Sequence, residues 1–236
     1  MTGEKLPRPE VIFFDLFGTI FKWSKSPRVA ISEVLTAHDY HVPPDAVLKA
    51  RREIERKLPA RDEFPTDFEP QYWNHYNEEL LGKLQVPPTP ELLAAIEAEI
   101  KQNVDLGLQP DAMPALQALK RTGVSLGVIS NATFGAKRDF TRLKLGPFFP
   151  QVVISQAVHA RKPDPHIFLI ALSKFGCAPP RAWMVGDEVD TDIRGARGVG
   201  MVPILVDREG TAPPDPRATV VRDLHEVVAL YRDSEG

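Results

Sequence analysis

Five short apolar runs, at 11–14, 124–129, 152–154, 182–185 and 202–206, are each closed by polar residues or glycine. Runs of this length bounded by turn formers read as buried strands. Between them the apolar positions recur at helical spacing, over roughly 111–121, 136–143, 165–175 and 192–198. Strands alternating with helices at this interval predict βαβ units, hence an α/β fold with a parallel sheet and helices on both faces. Residues 218–221 add an edge strand, and 224–231 a last helix.

The interval 24–105 has a different pattern. It shows no strand-like alternation and divides into four helices. Ser26-Pro27 supplies an N-cap and a first-turn proline for a helix to about Tyr40. Pro43-Pro44-Asp45 opens a second, running to Leu58. Tyr72, Trp73, Tyr76, Leu80 and Leu84 line one face of a third. Thr89-Pro90 starts a fourth, with Leu92, Leu93, Ile96 and Ile100 inward. The expected organisation is a core of residues 1–23 and 106–236 interrupted by an all-helical insertion at 24–105.

Composition narrows the class. The 236 residues suffice for one good-sized domain with an insertion, and 43% hydrophobic with 26% charged residues is ordinary for a globular chain. A net charge of -3 argues against a nucleic-acid or membrane surface and leaves a small molecule as the expected partner. Cys177 is the one cysteine, so an internal disulfide is excluded. The first residues lack the apolar core of a secretory leader, which makes a cytoplasmic location the expectation. Monomer and homodimer are equally compatible with the sequence.

Four segments carry candidate chemistry. Asp15 ends the first apolar run and precedes Leu16-Phe17-Gly18-Thr19. A carboxylate there projects into the crevice where open α/β sheets bind ligands, although aspartates at strand ends also serve as plain turn caps. Gly18 permits tight backbone geometry, and Thr19 offers a hydroxyl to hold the loop. Ser130-Asn131 follows the second strand and offers a hydroxyl and backbone N–H groups to an anion. Lys162 stands before Pro163-Asp164-Pro165, where the prolines fix the approach to a helix and Asp164 is its expected N-cap. Finally, Asp187, Glu188, Asp190 and Asp192 crowd behind one strand. Crowded carboxylates repel unless some protonate or a cation binds. An all-oxygen donor set without His or Cys suits Mg²⁺.

In this order the four segments resemble the haloacid dehalogenase-like hydrolase superfamily, and the resemblance spans nearly the whole chain. It implies a Rossmann-like core, with 24–105 as a helical cap. It implies Asp15 as nucleophile, Ser130 and Asn131 as the catalytic segment that supplies a hydroxyl donor, and Lys162 as the cation that neutralises charge. It implies Mg²⁺ held by Asp15, the backbone carbonyl of Phe17 and Asp187, with Asp192 either a further ligand or a support behind the ligands. One position departs from the pattern. In phosphatases of the superfamily the residue two beyond the nucleophile is an aspartate that protonates the leaving group, and here it is Phe17.

Three readings follow from that departure. The first is a Mg²⁺-dependent phosphohydrolase acting through an aspartyl-phosphate, on good leaving groups or with a borrowed donor; His159, three residues before Lys162, is one candidate donor. The second is a C–halogen hydrolase similar to the 2-haloacid dehalogenases, which carry an aromatic residue at this position; Arg51 and Arg52 then become candidates to bind halide. The third is a binding protein that has lost turnover. The acidic cluster at 187–192 favours the first. Phe17, Gly18, Thr19, Arg51, Arg52 and His159 are the candidate substrate contacts.

Overall fold

The computed structural model describes residues 5–55, 69–132, 136–211 and 218–234. In chain order the elements are β1 (Val11–Phe14), β2 (Phe21–Trp23), α1 (Pro27–Ala37), α2 (Pro44–Glu55), α3 (Glu69–Lys83), α4 (Pro90–Asn103) and β3 (Leu106–Leu108). There follow α5 (Ala112–Thr122), β4 (Ser125–Ser130), α6 (Ala136–Arg142), β5 (Gln151–Ile154), α7 (Ser155–Val158) and α8 (Pro165–Phe175). The chain ends with β6 (Ala182–Gly186), α9 (Arg194–Gly198), β7 (Val202–Val206), β8 (Thr219–Val221) and α10 (Leu224–Asp233). It divides into two compact units, one of residues 1–22 with 108–236 and one of 23–107.

The first unit is a Rossmann-like α/β core. Its six-stranded sheet has the order β5-β4-β1-β6-β7-β8, and every pairing is parallel. β1 is central and buried on both faces, as its uninterrupted Val-Ile-Phe-Phe requires. On one face Val11, Phe13, Ile129, Val153 and Met184 pack against Ile167, Phe168, Ala171 and Leu172 of α8 and Ala196 of α9. Gly127 lets this layer close, since a Cβ there would lie 2.7 Å from the Phe13 ring. On the other face Trp183 meets Tyr231 of α10, and α10 packs on α5. The parallel register brings the carboxyl ends of β1, β4 and β6 side by side: Phe14 pairs with Val128 and with Val185. Asp15, Ser130 and Asp187 therefore leave the same edge of the sheet.

The second unit contains α1 to α4. Its core includes Leu35, Val47, Ile54, Tyr76, Leu80, Leu81, Leu92 and Ile96, with Tyr72, Trp73, Leu84, Leu93 and Ile100 packed against it. The expected inward faces of α3 and α4 are thus those observed. Two local expectations are corrected. Ser26 makes no side-chain cap for α1, whose N-terminus is set by Pro27, whereas Thr89 does cap α4 by accepting from Leu92 N–H. α1 also stops at Ala37, three residues short of Tyr40, because the His38 N–H turns back onto the Leu35 carbonyl. The expected end of the second helix, residues 56–58, lies outside the described residues. A second, two-stranded sheet of β2 and β3 was not anticipated by the sequence pattern.

Candidate active site

The site is built around Lys162. Its Nζ donates to Asp15 Oδ1 at 2.6 Å and to Asp192 Oδ1 at 2.5 Å. All three residues are buried: Lys162 is 3% exposed, Asp15 7% and Asp192 0%. A buried ammonium is tolerable only with such partners. Burial alone would lower the Lys162 pKa, but the charges of Asp15 and Asp192 outweigh it and hold the amine firmly protonated, above the ordinary lysine value.

The lysine arrives by a fixed route. Lys162–Pro163 is a cis peptide, and Asp164 caps α8 by accepting from His166 N–H. Asn131, just beyond β4, accepts from Lys162 N–H at 2.8 Å and donates to the Lys162 carbonyl at 3.0 Å. The Asn131 amide is thus spent on the Lys162 main chain. Ser130 is different. Its Oγ is wholly buried and has no hydrogen-bond partner among the described residues. A buried hydroxyl without a partner is costly unless something else completes it.

Asp187 follows β6 and is half-buried, with Oδ1 accepting from Thr19 Oγ1 at 3.0 Å. One carboxylate oxygen from each of Asp15, Asp187 and Asp192 lies within 4.8 Å of the others. Lys162 is the cation paired with this group, and it contacts Asp15 and Asp192. Burial, reinforced by the charges of Asp15, Asp192 and Glu188, therefore raises the Asp187 pKa well above the ordinary carboxylate range. Asp192 is also raised, to about 7: burial and Asp15 push it up while Lys162 pulls it down. Three carboxylates against one ammonium form a donor set of hard oxygens that fits a divalent cation. Glu188 and Asp190 do not join it. Glu188 accepts from the Thr191 hydroxyl, and Asp190 pairs with Arg194 on the surface. The expected helix at 192–198 starts with a wider turn at Val189–Ile193, closed by Glu188 N–H onto Asp192 Oδ2, and becomes α9 only at Arg194.

Glycines allow the close approach of these groups. Gly18 has φ +90°, and a Cβ on it would overlap the Asp187 carboxylate; a Cβ on Gly186 would overlap Asp192. Phe17 is half-buried, forms a bridge with Phe21 and packs edge-on to its ring at 5.6 Å. His159 is exposed at the left-handed end of α7 and makes no hydrogen bond or ion pair among the described residues. Arg51 belongs to the helical unit, where its Nε donates to Tyr76 Oη at 3.1 Å. The Arg52 side chain lies outside what the structure describes.

Sequence reasoning missed a further group behind the loop. Gln109 Nε2 donates to the Gly18 carbonyl at 3.0 Å, and Arg208 Nη2 to the Thr19 carbonyl at 3.1 Å. The available signal was weak: Asp207-Arg208 follows the apolar run of β7 as Asp15 follows that of β1.

The sequence profile of the haloacid dehalogenase-like hydrolases matches residues 9–200, from the start of the first strand to beyond the acidic turn. The chain belongs to this family. Within it, the chain is 34% identical over 206 residues to the glyceraldehyde 3-phosphate phosphatase of Methanothermobacter thermautotrophicus, covering 86% of this chain and 87% of that one. It is 38% identical over 135 residues to the phosphoserine phosphatase of Thermus thermophilus, a match covering 56% of this chain and only 54% of that protein's length. Among solved structures, the magnesium-bound HAD-hydrolase YfnB of Bacillus subtilis superposes with a TM-score of 0.70 at 16% identity, over 96% of this chain and 99% of that one. That likeness is of fold. The family and its phosphatase-named relatives make the protein a hydrolase of phosphatase-like type. Among the described residues no helix is long and apolar enough to cross a membrane.

Proposed function

We propose that the protein is a Mg²⁺-dependent phosphatase of small organic phosphates that works through an aspartyl-phosphate on Asp15. The observation that carries this reading is the charge balance at the sheet edge: three carboxylates lie within 4.8 Å of one another, and among the described residues Lys162 pairs with two of them, Asp15 and Asp192. A dehalogenase, displacing a neutral carbon-bound halide, has no use for that surplus of negative charge. The phosphatase names of the relatives support the same choice, and their three-carbon phosphates indicate a substrate of that size.

Lys162 holds Asp15 Oδ1 and leaves Oδ2 without a hydrogen bond among the described residues. Oδ2 is the oxygen that attacks phosphorus; its bond to phosphorus forms as the bond to the ester oxygen breaks, and that oxygen departs with the electron pair. Asp15, Asp187 and Asp192, with the Phe17 carbonyl, would hold Mg²⁺, which when bound offsets charge on the phosphoryl oxygens. The unpartnered Ser130 Oγ is positioned by β4 to donate to one of those oxygens. Water then attacks phosphorus and releases Asp15 and inorganic phosphate.

Phe17 supplies no proton to the departing oxygen, so substrates whose leaving group is stable as an anion are turned over faster. The test measures phosphate release from acetyl phosphate, p-nitrophenyl phosphate and glyceraldehyde 3-phosphate, with Mg²⁺ and with EDTA, alongside halide release from 2-chloropropionate. Metal-dependent phosphate release is expected. Metal-independent halide release without phosphate release would overturn the reading.

A further inference from the structure

The nucleophile loop is tied to the far side of the core by a chain of polar contacts that none of the groups discussed above explains. Arg208, just beyond β7, donates from Nη2 to the Thr19 carbonyl at 3.1 Å and from Nη1 to Asp111 Oδ2 at 2.9 Å. Asp111 is itself buried, and the same Oδ2 accepts from Leu224 N–H at 2.6 Å. Asp111 precedes α5 and Leu224 begins α10, so the guanidinium is braced against two helix starts outside the loop. Thr19 passes the restraint on: its carbonyl is held by Arg208 while its hydroxyl donates to Asp187 Oδ1.

A guanidinium has a planar fork of donors with fixed geometry, and here its two arms reach a backbone carbonyl and a carboxylate at once. Such a group fixes direction, which a flexible ammonium does less well. The residue it fixes bears on two functional atoms. The turn after Asp15 closes through Gly18 N–H onto Phe21 O and Ile20 N–H onto Leu16 O, so a shift of Thr19 moves the carbonyl of Phe17 as well as the Thr19 hydroxyl. Residues that orient metal-binding carboxylates from behind typically alter metal affinity or activity by ~10–100-fold.

We propose that Arg208, braced by Asp111, is a positioning residue that sets the orientation of Asp187 through Thr19 and thereby tunes the cation site. This rests on the phosphatase reading for its catalytic consequence, but its primary readout is metal binding. Arg208→Met, Arg208→Lys and Asp111→Asn are compared with wild type and with Arg181→Met, a surface change at the half-exposed pair with Glu10. Folding is monitored by circular dichroism, Mn²⁺ affinity by the electron paramagnetic resonance of free Mn²⁺, and turnover with p-nitrophenyl phosphate. The expected result for folded R208M is a roughly tenfold weaker Mn²⁺ Kd and a kcat about tenfold lower, with KM within about threefold. R208K falls between R208M and wild type, Asp111→Asn shifts Mn²⁺ affinity in the same direction by less, and Arg181→Met changes nothing. Should R208M fail to fold, R208K and Asp111→Asn decide. Folded variants whose Mn²⁺ affinity matches wild type overturn the proposal. Wild-type protein that binds Mn²⁺ but releases no phosphate, with R208M still weakening that binding, sinks the phosphatase reading and leaves this one standing.

Discussion

Asn131 and Lys162, 31 positions apart, hold one another through a reciprocal pair of hydrogen bonds, backbone N–H to amide oxygen and amide N–H to backbone carbonyl. The amide thus fixes both polar groups of the residue whose side chain reaches Asp15. Asn131→Ala leaves the lysine in place chemically but releases its backbone. A misplacement of about 1 Å costs on the order of 10² in rate, so kcat should fall by roughly 10–100-fold with KM changed far less. Steady-state kinetics on p-nitrophenyl phosphate checks this; a KM effect with intact kcat would place Asn131 on the substrate.

Lys162→Met removes the one ammonium from a buried pair of carboxylates. Breaking a buried ion pair from one side costs about 3–5 kcal/mol, and losing charge stabilisation at the reacting oxygen costs about 10²–10³ in kcat. Urea denaturation and turnover should both register the change. The stability loss is expected to shrink at mildly acidic pH, where Asp192 takes up a proton.

The pH dependence of stability has a definite sign. With burial first among the causes, Asp192 is raised to about 7 and Asp187 is also raised well above the ordinary carboxylate value. Between that ordinary value and about 7 the folded protein keeps protons that the unfolded chain has released, so stability falls as pH rises through this window. Divalent cation competes for the same oxygens. The increase in Tm on adding Mg²⁺ should therefore be larger at pH 8 than at pH 5.5, by a few degrees if about 1 kcal/mol separates the two. Scanning calorimetry at both pH values is the measurement, and equal increments would argue against the carboxylates as ligands.

Gly18→Ala meets two obstacles at once: a φ of +90° and a Cβ inside the Asp187 carboxylate. Backbone strain of this kind costs about 1–3 kcal/mol, and the displaced carboxylate should weaken metal binding. The expectation is a folded, less stable protein whose Mg²⁺ requirement rises at least tenfold. Gly82, where a Cβ meets nothing within 4 Å, is the matched control.

Phe17→Asp restores a proton donor two residues beyond Asp15. General acid help is worth about 10²–10⁴, so turnover of alkyl phosphates should rise while that of acetyl phosphate, whose leaving group needs no proton, changes little. Removing the ring packed on Phe21 will cost some stability. A folded variant with an unchanged ratio of the two rates would mean that the donor comes from elsewhere.

Much of this architecture was written in local pattern. β1 has the limits of its apolar run because burial on both faces leaves no polar position to blur a boundary, and α8 is bounded by Pro165 at its start and by left-handed Gly176 at its end. Three of the four motif segments were visible because they sit at strand ends, and Lys162 because prolines follow it. Strand order was not, since periodicity carries no information about which strands are neighbours. The role of Asn131 was hidden for another reason: one amide serves equally to bind an anion or to clasp a backbone, and only the partner decides. Arg208 and Thr19 are 189 positions apart and joined by one side-chain bond, so no spacing in the sequence announces them.

The central place of β1 has a consequence for biosynthesis. It is made before both of its neighbours, which begin at Ser125 and Ala182. A nascent chain must therefore carry Val11–Phe14, four consecutive apolar residues, without its first neighbour until β4 has been made and without its second until β6 has. Sequence separations of that size slow assembly and leave sticky segments open to aggregation or to capture by chaperones. The late strand β6, which brings Asp187 with it, is then what completes the flank of β1 and the reactive edge in the same event.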